Sequence, residues 1–404
     1  MMGERNEGAV LPKIGVAALL ACGLFPTIGL FSPGLVLPQI EHAFIDTPNV
    51  KLLTELVGTL AGFAFAIGAP IAGALIARLG CRRVLLPALL LFAVAGAAPA
   101  LLQDLWGILA ARLVLGFALS GVFTSALAGI GALPEGLKMR LFGLFSVVGG
   151  ATAIILFPLI GAIGHFGWQP AFLVNLMALA AVPLAMTLPR TLGMAAPQDA
   201  AIRLDAARDR GLLNAAMIGL LVLAAMAGMG MLIGPIYAPL YLVQLGISDT
   251  RLFAVPATCG SIAAVCASAL YGRMHAVLGI RGLWAVAMLA MGAALVLAGI
   301  STNMTLFTVA VVANSAMVAL MAPNVSASAV AFSPPHLAAQ AIGLANGVMF
   351  GAQLAFPLLA AWLRSVAGLG GVFLLFGALV GLIGAGIAFG MVLARRQVAE
   401  PVSS

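Results

Sequence analysis

The sequence predicts an all-α integral membrane protein: twelve transmembrane helices in two six-helix bundles. Three observations carry this. The 404 residues are 63% hydrophobic and only 8% charged, whereas about a quarter of a soluble domain is charged. The apolar residues fall into runs long enough to cross hydrocarbon, which takes about twenty residues of helix. And Gly73, Gly80 and Arg82 return as Gly272, Gly279 and Arg281 at one constant offset of 199 residues, close to half the chain. An echo of that period marks one unit used twice.

Cutting the chain at charges and turn residues gives the runs 14–37, 52–77, 84–102, 107–132, 140–163 and 171–188, then 212–242, 252–271, 283–301, 305–331, 340–363 and 369–394. Residues 1–190 are expected to form the first bundle and 212–404 the second. Between them, 191–211 reads as a cytoplasmic linker, since Pro189–Gly211 is the one charge-dense stretch, with Arg190, Asp199, Arg203, Asp205, Arg208, Asp209 and Arg210. The first run has no small-residue cleavage site after it and is expected to remain as a spanning helix. The 48 glycines suit close helix approach in lipid.

Placing the N-terminus inside puts fifteen Lys and Arg on the cytoplasmic side, among them Arg78, Arg82, Arg83, Lys138 and Arg281. Only Lys51, Arg251 and Arg364 fall outside. This asymmetry places both termini in the cytoplasm of a multi-pass protein of the bacterial inner membrane, with the lipid bilayer as its first partner.

The formal charge of +7 is spread over short loops, so no nucleic-acid partner is expected. Cys22, Cys81, Cys259 and Cys266 show no CxxC spacing and read as free thiols. No phosphate loop, metal-ligand cluster or nucleophile constellation occurs. The sequence therefore predicts neither an enzyme nor a cofactor.

Three stretches carry a resemblance. Gly73-Ala74-Leu75-Ile76-Ala77-Arg78-Leu79-Gly80-Cys81-Arg82-Arg83 resembles the basic signature loop between the second and third helices of the major facilitator superfamily, with Ala77 where that family has Asp. Arg112-Leu113-Val114-Leu115-Gly116 is similar to its fourth-helix Arg-x-x-x-Gly motif, and Gly167-Trp168-Gln169-Pro170-Ala171-Phe172 to the start of its sixth helix. Pro158 and Gly161 match part of the fifth-helix motif of the drug-exporting branch; Ala153, Phe157 and Ala162 depart from it. Pro158 and Pro357 are again 199 residues apart. The resemblance implies a secondary transporter working by alternating access, with the cytoplasmic loops near Gly73, Arg78, Gly80, Arg82, Arg83, Gly272, Gly279 and Arg281, and the prolines Pro158 and Pro357, as moving parts. In the family the acid missing at Ala77 helps latch the cytoplasmic side.

Arg112 is the most informative single residue, because a guanidinium in hydrocarbon costs several kcal/mol unless paired or wetted. It reads either as a structural partner of Glu55 or of helix carbonyls, close enough to the outer interface to snorkel, or as an anchor for an anionic substrate or a modulator of a proton site. Glu55 is the only acid inside a run. It reads as an outer-rim charge or, less favourably, as a coupling site for a proton. His42, His165, His275 and His336 all fall at expected loops.

The resemblance assigns the cavity to runs one, four, seven and ten. Their mid-depth candidates are Phe25, Thr27 and Phe31, then Ser120, Thr124 and Ser125, then Tyr237 and Tyr241, then Asn314, Ser315 and Asn324, with Gln353 from run eleven. Amides in lipid bridge helices more often than they bind ligands, so about one in three should touch substrate. Pro26, Pro33, Gly34, Gly234, Pro235 and Pro239 read as bends near the outer gate, and Met226, Met229, Met231, Met317 and Met321 as a soft lining.

The reading that follows is a monomeric secondary transporter of a small, amphipathic organic solute, with export favoured and a coupling proton or counter-ion as a candidate second partner. An importer or exchanger of small organic anions held by Arg112 is the alternative within transport. A non-transporting membrane sensor is the alternative outside it.

Overall fold

The structure, a computed structural model, describes residues 12–194, 214–334 and 337–399. The expected linker residues 195–211 and His336 lie outside these. Among the described residues every regular element is helical.

Six spans form the first half. They are α1 (Lys13–Ala43), α2 (Val50–Leu79), α3 (Cys81–Ala100), α4 (Leu105–Gly131), α5 (Glu135–Ile163) and the shorter α6 (Gln169–Ala185). The second half begins with α7 (Ala215–Gln244). Thr250–Gly299 is a double-length helix that Gly279 divides into α8 (250–278) and α9 (280–299). Met304–Phe332 is α10, and Ala338–Ala399 is divided by Gly368 into α11 (338–367) and α12 (369–399). Each double-length helix is two expected spans, so the twelve runs all have a counterpart.

Local chemistry explains where these elements begin and bend. Asp104, Asn214, Asp249 and Asn303 each accept a hydrogen bond from a backbone N–H of the first turn that follows, satisfying donors a helix start leaves free. In α1 the prolines Pro26 and Pro33 lack an N–H to give, and the helix tightens to 3-10 turns at Cys22–Leu24 and Gly34–Val36. In α7 the bend near Pro235 is a π-turn over Ile233–Tyr237.

The expected loops at 73–83 and 272–281 are much shorter than the sequence implied. Helix continues through Leu79 and through Leu278, leaving one glycine as the corner in each case. The basic side chains do not end these helices, because long cationic side chains reach the interface from a helical backbone. For the same reason His275 lies within α8, a ring nitrogen 3.3 Å from the Tyr271 hydroxyl, and not in a loop. His42 sits in the last turn of α1, while His165 occupies a short 3-10 turn.

Both ends of the described chain lie at one face of the bundle, here the terminal face; the other is the far face. The halves meet along two seams, α2 against α11 and α5 against α8. Large apolar side chains such as Ile155, Leu382 and Phe389 point outward, as lipid contact requires.

Candidate substrate site and gates

At the far face the halves are sealed. Glu55 in α2 is 1% exposed, and its carboxylate lies 2.6 Å from the Arg364 guanidinium of α11. The Tyr237 hydroxyl of α7 donates to the other carboxylate oxygen at 2.8 Å. Gln39 in α1 donates to the Thr250 hydroxyl at 2.8 Å and to the Gly164 carbonyl, also at 2.8 Å. A Cβ at Gly34 would overlap the Pro235 carbonyl, so α1 and α7 touch backbone to backbone there. Glu55 is therefore not a rim charge, since α1, α7 and α11 cover it.

Towards the terminal face both seams open. Along α2 and α11, a Cβ at Gly62 would sit 2.9 Å from Gln353 Oε1, and the Phe65 and Phe350 rings meet with centroids 5.5 Å apart. Seven residues further down the same stripe of α11, Gly343 has nothing within 4 Å of its Cβ position. The other seam behaves alike. Gly161 packs on Ala254 and Gly150 on Val265, but at Gly143 and Gly272, each seven residues nearer the terminal face, a Cβ would meet nothing within 4 Å among the described residues. Residues seven apart share a helix face, so the stripes that join at the far face and midplane have parted at the other end.

Of the two structural partners expected for Arg112, helix carbonyls are the ones it meets and Glu55 is not. Arg112 is fully buried in α4; Nε donates to the Val57 carbonyl at 2.8 Å and Nη2 to the Leu30 carbonyl at 3.3 Å. It does not reach the interface, as a snorkelling side chain would. Its Nη1 has no hydrogen-bond partner among the described residues. Glu55 is taken instead by Arg364, which the sequence left at the end of a run.

Of the expected cavity residues, the structure groups some and scatters others. The Thr27 hydroxyl donates to the Gly149 carbonyl at 3.1 Å and lines a cavity of about 290 Å³ between α1, α4 and α5, with Phe123, Phe142 and Phe145 around it. Phe31 and Thr124 are half-buried elsewhere in the first half, while Phe25 is turned into the core against Phe92. Tyr237 belongs to the far-face seal. Tyr241 stacks on Phe307 at 4.7 Å and donates to the Ser301 carbonyl, inside the second half. Asn314 donates to the Gly230 carbonyl and Asn324 to that of Ile280, so both amides bridge helices. Gln353 is buried at the α2–α11 seam, with Nε2 3.9 Å from Met231 Sδ.

Sequence reasoning missed Phe123, Phe145, Phe65 and Phe350. Their rings form a chain, Phe145 to Phe123 to Phe65 to Phe350, with successive centroids 5.7, 5.5 and 5.5 Å apart. It crosses from one half to the other at the level where the seams part. Phenylalanine among so many apolar residues gives no signal in composition, and only the paired placement on α2, α4, α5 and α11 reveals it.

The two glycine corners also differ. Gly80 has φ +83° and ψ 158°, and the segment Leu188–Met194 folds back on it: the Cys81 N–H donates to the Leu192 carbonyl at 2.8 Å, and Arg82 to that of Leu188 at 3.4 Å. Gly279, with φ +66° and ψ 178°, has open space beside it, a surface hollow of about 420 Å³ that also touches Arg281, Phe332 and Met391. Pro158 faces outward and Pro357 is buried, although the repeat pairs them.

A sequence profile of the Major Facilitator Superfamily matches residues 17–271, more than half of the chain. The chain belongs to the Major Facilitator Superfamily. Its fold is that of solved transporters of this kind. A D-xylose–proton symporter is 18% identical, with a TM-score of 0.74 over 93% of this chain and 96% of that one. A POT family transporter in complex with 5-aminolevulinic acid is 13% identical, TM-score 0.77, over 93% and 95%. The inward-open xylose transporter XylE from E. coli is 14% identical, TM-score 0.71, over 92% and 94%. No curated protein matches the chain. It is a multi-pass membrane transporter of the alternating-access superfamily.

Proposed function

We propose that this superfamily member exports a small amphipathic organic solute across the bacterial inner membrane, working as a monomer with both termini in the cytoplasm. Residues 1–190 and 212–404 then move as two bodies joined by the 191–211 linker. The observation that carries the alternating-access part of the reading is the asymmetry of the seams, sealed at the far face by Glu55, Arg364, Tyr237 and Gln39 and parted at the terminal face; the direction rests on the partial match of Pro158 and Gly161 to the exporters' fifth-helix motif. With the terminal face cytoplasmic, the site exchanges solute with the cell interior in this state. Pivoting about the midplane contacts of Phe65 and Gln353 would close the parted stripes and break the seal.

The apolar walls at Thr27 and Phe123 support an amphipathic solute. Arg112, with two donors spent on backbone carbonyls, is tied to the scaffold and gives the anion-carrier reading less support.

Vesicles reconstituted with the protein and loaded with a panel of labelled cationic, uncharged and anionic organic solutes test this. At least one cationic or uncharged solute should leave faster than from protein-free vesicles. Protein-dependent uptake of an organic anion with no efflux of any other solute would overturn export.

A further inference from the structure

The cavity between α1, α4 and α5 has a chemistry that restricts what it can hold. Three faces of its wall are rings, Phe123, Phe142 and Phe145, and none of the residues lining it is charged. Its one side-chain hydroxyl, on Thr27, is already donated to the Gly149 carbonyl. A polar solute such as a sugar would find few side-chain hydrogen-bond partners on these walls to replace water. A charged solute would meet no counter-charge, which is costlier still. The volume of about 290 Å³ is roughly twice that of an engineered apolar cavity that accepts benzene, and so admits two fused rings. Ring walls favour a ring-bearing guest through offset and edge-to-face contact.

The cavity is also wired to the moving interface. Phe123 is both a wall of the cavity and the neighbour of Phe65, which meets Phe350 of the other half. A guest that turns the Phe123 ring therefore changes the fit of the Phe65–Phe350 contact between halves.

We propose that this cavity binds a small, flat, uncharged aromatic molecule, and that Phe123 passes its occupancy through Phe65 to Phe350. The proposal rests on the transport reading for its meaning and names the substrate class of that site. It departs from the xylose and 5-aminolevulinic acid named for the similar structures.

Equilibrium binding of indole, indole-3-carboxylate, tryptamine and xylose to the full chain in lipid nanodiscs, against empty nanodiscs, tests it. Indole should bind saturably, indole-3-carboxylate and tryptamine at least about tenfold more weakly, and xylose not at all. Phe123→Ala and, separately, Thr27→Leu, which fills the cavity, should each weaken indole by about tenfold, a loss of about 1.4 kcal/mol. Indole uptake no greater than by empty nanodiscs would overturn the proposal. So would tightest binding of the carboxylate, which would restore Arg112 as an anchor, or indole binding that neither variant changes. Because binding needs no turnover, indole binding by a protein that moves no solute in vesicles would remove the transport reading and leave the site. Transport of another solute with no indole binding would do the reverse.

Discussion

Glu55 and Arg364 join α2 to α11 in a buried contact whose two members lie 309 positions apart in the chain. Removing one member of a buried pair leaves the other uncompensated and costs about 3–5 kcal/mol, whereas removing both together is often nearly neutral. Glu55→Gln should accordingly lower the thermal unfolding temperature more than Glu55→Gln combined with Arg364→Gln does. A double variant no more stable than the single one would show that the pair contributes nothing to this state. The sequence showed Glu55 as the one acid within a run and Arg112 as the one deep cation, and both are buried. It could not show the pairing. Arg364 sits where a span ends, the place where a cation ordinarily reaches water, and its side chain keeps 13% exposure while its guanidinium meets Glu55. Arg112 found its partners among backbone carbonyls, one of the alternatives its place within a run had left open.

The helices repeat in backbone geometry as well as in residue pattern. Gly80 and Gly279 turn the corners after α2 and α8; Gly167 and Gly368 turn those before α6 and α12. All four combine positive φ with extended ψ, a region essentially reserved for glycine in which any other residue costs of order 1–3 kcal/mol. Gly279→Ala should incur that strain alone, since its Cβ would meet open space. Gly80→Ala adds a clash with the Arg190 carbonyl and should lower the unfolding temperature more. Equal losses would mean that the docking of Leu188–Met194 is not tight. The 199-residue frame made the first of these pairs legible, because Gly and Arg recur together. The second pair stayed hidden because Gly368 lacks the Trp that follows Gly167. Span boundaries were legible within a few residues wherever Asp, Asn or Pro punctuates the chain, and failed where one glycine in a continuous helix does the turning.

At the scale of the whole molecule, fold class and span number follow from composition and run length, because hydrocarbon permits few other solutions for so apolar a chain. The state of the molecule does not follow from them. Whether the halves touch at one face or the other depends on small differences between two packings of the same residues, and only the parted stripes at Gly143, Gly272 and Gly343 against the sealed far face reveal it. The central claim is that the halves rock about their midplane contacts with the Glu55–Arg364 pair as the far-face lock. Spin labels at Lys51 and Arg251 report the far face and labels at Arg83 and Arg281 the terminal face, all four side chains being exposed; Cys259 and Cys266 are replaced by serine beforehand. Pulsed electron–electron resonance should show that introducing Glu55→Gln lengthens the far-face distance and shortens the terminal-face distance in the same sample. Distances that stay fixed, or that lengthen together, would contradict the account.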